Sequence, residues 1–196
     1  MKKLLILSFS MLVLIPYTVS AQRVDNFQLP DVLSGGTFSL TEHNDAKGVV
    51  LIFTSLNCPF SKLYEERIVN LHTEFNPQGF VFALVNPHVK LEEGESADEM
   101  KKRAEERGIM FSFLADEDQV VTRQLGITKL PEVVLVTPSP TGYSIAYRGA
   151  IDNNPQVAAN ANLRYLESAM TAIANRRNPS PASSRPVGCN IRLLDF

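Results

Sequence analysis

The feature that most constrains this chain is Val49-Val50-Leu51-Ile52-Phe53, an unbroken apolar run rich in β-branched residues and opened by Gly48. Without polar alternation, such a run reads as a strand buried on both faces, which requires a covering layer on each side. From residue 59 to about 75 the period changes: Tyr64, Ile68, Leu71 and Phe75 are spaced four, three and four apart, one stripe of an amphipathic helix. Asn76-Pro77-Gln78-Gly79 stops that helix, and Phe80-Val81-Phe82-Ala83-Leu84-Val85 reads as a second buried strand.

The same reading continues along the chain. Residues 23–47 form an opening segment with a Ser34-Gly35-Gly36-Thr37 turn between two short extended pieces. Helices fit residues 97–107 and 118–125, and a last one fits residues 160–175 with Leu163, Leu166, Met170 and Ile173 on one side. Between them, Val133-Val134-Leu135-Val136 and Tyr143-Ser144-Ile145-Ala146-Tyr147 are strands joined by a connection short enough for a hairpin. Alternating strands and helices followed by two adjacent strands and a helix imply an α/β sandwich with a mixed central sheet.

Of 196 residues, 44% are hydrophobic, too many for a disordered chain and enough for one self-sufficient core. A formal charge of −2 with no basic stripe argues against nucleic acid as a partner. Two cysteines are too few for a disulfide scaffold or a cysteine-built zinc site. His43, His72 and His88 lack metal-ligand spacing, and no glycine-rich phosphate loop follows a strand, so neither a metal nor a cofactor is expected. Glu92-Glu93-Gly94-Glu95 reads as a solvated acidic loop, and His72 as a helix-surface residue.

Lys2 and Lys3 precede an apolar run over residues 4–15, and Val19-Ser20-Ala21 closes the segment, the pattern of a secretory signal peptide. Residues 1–21 are therefore expected to be removed, leaving a domain over residues 22–177, exported to the periplasm or beyond with no stable membrane anchor. Residues 178–196 read as a Pro/Ser-rich, extended and partly mobile linker that delivers Cys189.

Cys58 stands directly before Pro59, where the buried strand gives way to the helix. Proline suits the first helical position, which puts Cys58 at or near the N-cap, facing unpaired N–H groups and the positive end of the helix dipole. That setting favours thiolate, the nucleophilic form. The alternative is a buried cysteine acting as a small hydrophobe.

Around this cysteine, Phe53-Thr54-Ser55-Leu56-Asn57-Cys58-Pro59-Phe60-Ser61 resembles the active-site loop of the thioredoxin superfamily, and Leu130-Pro131-Glu132-Val133-Val134-Leu135 resembles its cis-proline segment. With Tyr64-Glu65-Glu66-Arg67-Ile68, Tyr147-Arg148-Gly149-Ala150-Ile151-Asp152 and Val187-Gly188-Cys189-Asn190-Ile191, the set is similar to exported bacterial proteins of the redoxin, or alkyl hydroperoxide reductase/thiol-specific antioxidant, group. The resemblance implies a thioredoxin-like three-layer sandwich, a mixed sheet flanked by helices. Ser61 stands where a Cys-x-x-Cys pair has its second cysteine. Leu51 and Ser55 occupy the positions where a peroxiredoxin has proline and threonine, and Ile52 that of the buried acid of thioredoxins.

A nucleophilic cysteine that becomes a mixed disulfide or a sulfenic acid needs a second thiol to release it. Ser61 has none, and the 12 residues from Arg177 to Cys189 span up to about 40 Å when extended, at roughly 3.3–3.6 Å each. The expectation is an exported thiol-disulfide oxidoreductase with Cys58 as nucleophile and Cys189 as resolving partner, taking a protein or small-molecule disulfide or a hydroperoxide and restored by an exported thiol reductant. Two alternatives stay open: a peroxiredoxin-like thiol peroxidase, and a non-catalytic binding module whose Cys58–Cys189 bridge is structural. Supporting roles fall to Pro59 at the helix start, to Ser61 as a donor to the thiolate, and to Pro131, which if cis presents the backbone of Leu130 beside Cys58. Arg148 is the candidate positive charge and Glu132 the candidate proton relay.

Overall fold

The computed structural model describes residues 22–140 and 142–195; the expected signal peptide lies outside the described residues. The chain opens with β1 (Arg23–Val24), β2 (Gln28–Pro30) and β3 (Thr37–Ser39), then β4 (Gly48–Phe53), α1 (Pro59–Phe75), β5 (Phe80–Asn86) and α2 (Ala97–Arg107). It continues through β6 (Ser112–Ala115), α3 (Val120–Leu125), β7 (Lys129–Leu130), β8 (Glu132–Ser139), β9 (Gly142–Gly149), α4 (Tyr165–Ala174) and β10 (Cys189–Asn190). Six strands form the central sheet in the order β1-β9-β8-β4-β5-β6. β4, β5 and β6 are parallel, while β8 runs antiparallel to both β4 and β9, so the sheet is mixed.

Because side chains alternate across a strand, the apolar runs feed two cores at once. Val50, Ile52, Phe82, Leu84, Val133 and Leu135 face one side, where Tyr64, Ile68 and Leu71 of α1, Met100 and Ala104 of α2, and Leu166 and Met170 of α4 cover them. Val49, Leu51, Phe53, Ala83, Val85 and Val134 face the other, covered by Val121 and Leu125 of α3 and by Phe27, Leu29 and Phe38 of the opening segment. Two cores either side of one sheet make the three-layer sandwich.

Some elements differ from the sequence reading. β6 was not anticipated; it lies parallel to β5 on the sheet edge. α4 begins at Tyr165 rather than near residue 160, so Leu163 lies outside it and is half exposed. α3 begins at Val120 because Gln119 takes a left-handed conformation, φ 56°. His72 is not a plain surface residue: its ring stacks on Phe111 at 4.5 Å and meets Phe82 edge-on at 5.5 Å.

Candidate active site

β4 ends at Phe53, and five residues later Cys58 is the N-cap of α1, in extended conformation with Pro59 as the first helical residue. Cys58 is buried. The loop between is tied to one carboxylate. Glu95, fully buried, accepts hydrogen bonds from Ser55 Oγ (2.6 Å), Leu56 N (2.9 Å), Asn57 N (2.7 Å) and Asn86 Nδ2 (2.8 Å). Asn57 Nδ2 adds a bond to the Glu93 carbonyl at 2.9 Å. The acidic stretch read as a solvated loop is therefore half right. Glu93 is exposed, but Glu95 turns inward, since a buried carboxylate is tolerated only with a full set of donors.

Cys58 is joined to Cys189 by a disulfide spanning 131 positions, with Cα atoms 6.0 Å apart. The tail that carries Cys189 lies antiparallel to β7, with Cys189 opposite Leu130 and Asn190 opposite Lys129. The Leu130–Pro131 peptide is cis, and the Leu130 carbonyl oxygen lies 3.2 Å from Cys58 Sγ. Leu130, Pro131, Cys58 and Cys189 thus meet at one point. A Cβ on Gly188 would fall 1.9 Å from the Leu130 carbonyl oxygen, so only glycine fits where the tail crosses β7.

Beyond β10 the tail stays hydrogen-bonded to the domain. Ile191 N donates to Thr128 O (3.1 Å), Arg192 N to His88 Nε2 (3.1 Å) and Leu194 N to Gln119 Oε1 (2.8 Å). Gln119 Nε2 donates to Arg192 O (2.8 Å), and Arg123 donates to Leu194 O. Upstream, the Pro/Ser-rich stretch is fastened to the sheet. Arg148 N donates to Ala182 O (3.1 Å) and Ser184 N to Arg148 O (3.0 Å). Tyr147 OH donates to Ala150 O, which leaves Ser184 Oγ to donate to the Tyr147 oxygen while accepting from Ala150 N. Gly149 has φ 140°, and a Cβ there would fall 2.1 Å from Ser184 O, so this anchorage too requires glycine.

Three supporting residues, Ser61, Glu132 and Arg148, have hydrogen-bond partners of their own. Ser61 Oγ accepts from Ser55 N at 3.4 Å; helical side chains lean toward the N-terminus, which aims this hydroxyl under the loop. Glu132 is buried, bonded through Oε1 to Arg148 Nε (2.8 Å) and through Oε2 to Thr128 N and Lys129 N (3.2 and 3.4 Å). Arg148 also donates to Gly126 O at 2.7 Å. With both oxygens engaged, this pair clamps the segment leading to Pro131.

His88, Glu92 and Glu95 bring three ligand-type atoms within 4.8 Å of one another. Glu95 already accepts four bonds. His88 Nε2 accepts from Arg192, so the neutral ring carries its hydrogen on Nδ1, 3.4 Å from Glu92 Oε1 and too poorly aligned to count as a bond. Burial pushes the His88 pKa below its usual value against the opposing pull of Glu92 and Glu95, with Arg192 adding to the decrease. Apart from the local His88–Glu92 and Asn86–Glu95 pairs, their partners lie 35 to 104 positions away, which leaves no local spacing signal for this arrangement.

The AhpC/TSA family profile matches residues 21–153. The chain belongs to the AhpC/TSA family. No curated protein matches this AhpC/TSA-family chain, but solved structures do. A protein from Geobacillus kaustophilus aligns at 25% identity and TM-score 0.81 over 90% of this chain and 93% of its own. One from Sinorhizobium meliloti aligns at 23% and 0.80 over 90% and 95%. Peroxidoxin BcpB of Mycobacterium tuberculosis aligns at 17% and 0.57 over 80% and 96%. These likenesses confirm the thioredoxin-like fold for this family member.

Proposed function

We propose that this protein is an exported thiol-disulfide oxidoreductase in which Cys58 is the nucleophile and Cys189 resolves the intermediate. The observation that carries this reading is the meeting of Cys58, at the mouth of a 17-residue helix, with a cysteine 131 positions away on a tail held there mainly by main-chain hydrogen bonds. In the dithiol form the helix N-terminus favours the Cys58 thiolate. That thiolate attacks one sulfur of a substrate disulfide, forming a Cys58–substrate disulfide and releasing the other sulfur as a thiolate that takes up a proton. Cys189, deprotonated, then attacks Cys58 Sγ, forming the Cys58–Cys189 bond and releasing the second substrate thiol. Two electrons pass to the substrate, and a dithiol reductant returns the protein to its starting state.

AhpC/TSA membership favours hydroperoxide reduction as the second reading. There the thiolate attacks a peroxide oxygen, breaking the O–O bond and releasing water or an alcohol, and Cys189 condenses with the resulting sulfenic acid to give the same disulfide with loss of water. Leu51 and Ser55, at the positions where a peroxiredoxin has proline and threonine, weigh against it.

One stopped-flow comparison tests both. Reduced protein is mixed with a peptide disulfide or with hydrogen peroxide, and Cys58 is followed by mass spectrometry. Rapid peptide exchange with slow sulfenate formation is expected. The opposite ranking moves the assignment to peroxidase. If reduced Cys58 alkylates no faster than free cysteine, both redox readings fall and a structural bridge in a binding module remains.

A further inference from the structure

The tail beyond Cys189 is held almost wholly by its backbone. Thr128 O, His88 Nε2, both amide atoms of Gln119, and Arg123 bind main-chain atoms of residues 191, 192 and 194. Main-chain recognition does not depend on which side chains the strand carries, so any extended segment can satisfy the same donors and acceptors. Three side chains add a preference: Asn190 Oδ1 accepts from Lys129 Nζ at 2.5 Å, and two more lie beyond it. Ile191 packs against the apolar cluster that includes Phe53, Cys58 and Leu130, while Arg192 reaches Glu92 at 3.4 Å. Val187 and Leu193 point outward and are about half exposed, adding little.

Gln119 is the least expected part of this clamp. It is fully buried, sits in a left-handed conformation, and spends its side chain on the tail and on Pro87 O at 2.9 Å. A buried amide requires these partners. Once the disulfide is reduced, the tail loses its covalent hold while Gln119 and His88 keep polar atoms that need a strand beside them.

We infer that the groove formed by β7, His88, Gln119 and Arg123 is a substrate site, occupied in the disulfide form by the protein's own tail and in the dithiol form by an extended polypeptide segment of a disulfide-bearing client. The client cysteine takes the place of Cys189, with an apolar residue two positions on and a basic residue three positions on. This rests on the thiol-exchange reading above and supplies its substrate class. Tail and client exclude one another, so return of the tail both delivers the resolving thiol and expels the product.

An exchange equilibrium tests the groove without depending on how fast Cys58 reacts. In purified Cys189→Ser protein, Cys58 carrying glutathione is equilibrated with synthetic peptides, protein-S-S-glutathione plus peptide thiol giving protein-S-S-peptide plus glutathione. The probe is Ala-Cys-Ala-Ile-Arg-Ala-Leu-Ala, compared with a version carrying Glu for Arg and one N-methylated at the amide five residues after the cysteine. The parent peptide is expected to displace glutathione at least tenfold in its favour. The Glu version loses about threefold and N-methylation about fivefold, since an exposed ion pair is worth less than a hydrogen bond. In Gln119→Ala the N-methyl penalty disappears, separating the clamp from effects within the peptide. If all peptides lie within twofold of glutathione, or the penalty persists in Gln119→Ala, the groove is not a substrate site even where thiol exchange is rapid. Discrimination among the peptides with a sluggish Cys58 leaves the groove standing and removes the catalytic reading instead.

Discussion

Around Cys58, backbone donors of the loop converge on a single buried carboxylate, Glu95, that reaches in from the segment before α2. Around Cys189 the arrangement is reversed: side chains and carbonyls of the domain reach out to the backbone of a tail that contributes only partly buried groups to the core. One sulfur is built into the domain and the other is laid on it. The first arrangement ties Cys58 to the interior of the domain; the second holds Cys189 by contacts along the tail.

Removing the bridge is the most severe test of that contrast. Cys189→Ser, which opens a loop of 131 positions, is expected to lower the unfolding free energy in urea by about 4 kcal/mol. Hydrogen exchange then speeds up at Ile191, Arg192 and Leu194 while Leu56 and Asn57 keep their protection; equal loss at both places erases the distinction. Glu95→Ala inverts the pattern. It strands four donors in a buried site and should cost about 3 kcal/mol, with protection lost at Leu56 and Asn57 and kept along the tail. Glu95→Gln, which retains one acceptor oxygen, should cost less.

Gly188→Ala addresses the tail without touching either sulfur. The added methyl meets Leu130 O, and the Cys58–Cys189 disulfide should become about tenfold easier to reduce in a glutathione buffer, with Glu95 and its loop unaffected. The smallest expected effect is pH-dependent. The folded His88 pKa lies below its unfolded value of 6.5, so the unfolded chain takes up protons first as pH falls. The stabilising contribution is complete above pH 6.5 and is lost as pH falls below that value toward the folded pKa. His43 and His72 shift the same way through desolvation. His88→Gln should flatten the decline in denaturant midpoint between pH 6.5 and 5 by an amount under about 1 kcal/mol; an unchanged slope leaves His43 and His72 as the source.

The sequence made the built-in half legible and the laid-on half only in part. β4, α1, β5 and α2 announce themselves because burial imposes a period on their own residues, and Cys-Pro at a strand-to-helix boundary marks the N-cap locally. Cys189 could be paired with Cys58 because few sulfurs were available. Glu95 could not be found that way. A glutamate among glutamates carries no mark of the loop 40 positions earlier whose hydroxyl it binds. β7 and β10 consist of two residues each and exist only because they pair with one another. Gln119 and His88 are polar residues whose partners belong to a tail some 70 to 100 positions later, beyond any local pattern.

Ser184 has a consequence for timing. It is held to Tyr147 and Ala150 by its hydroxyl and to Arg148 by its amide, so the free leash to Cys189 is only five residues, about 17 Å at full stretch. A thiol on so short a leash sees Cys58 at an effective concentration on the order of millimolar. Closure of the Cys58–Cys189 bridge therefore runs at a rate set by the chain itself, independent of protein dilution, and outcompetes a free thiol from any second molecule present at micromolar levels.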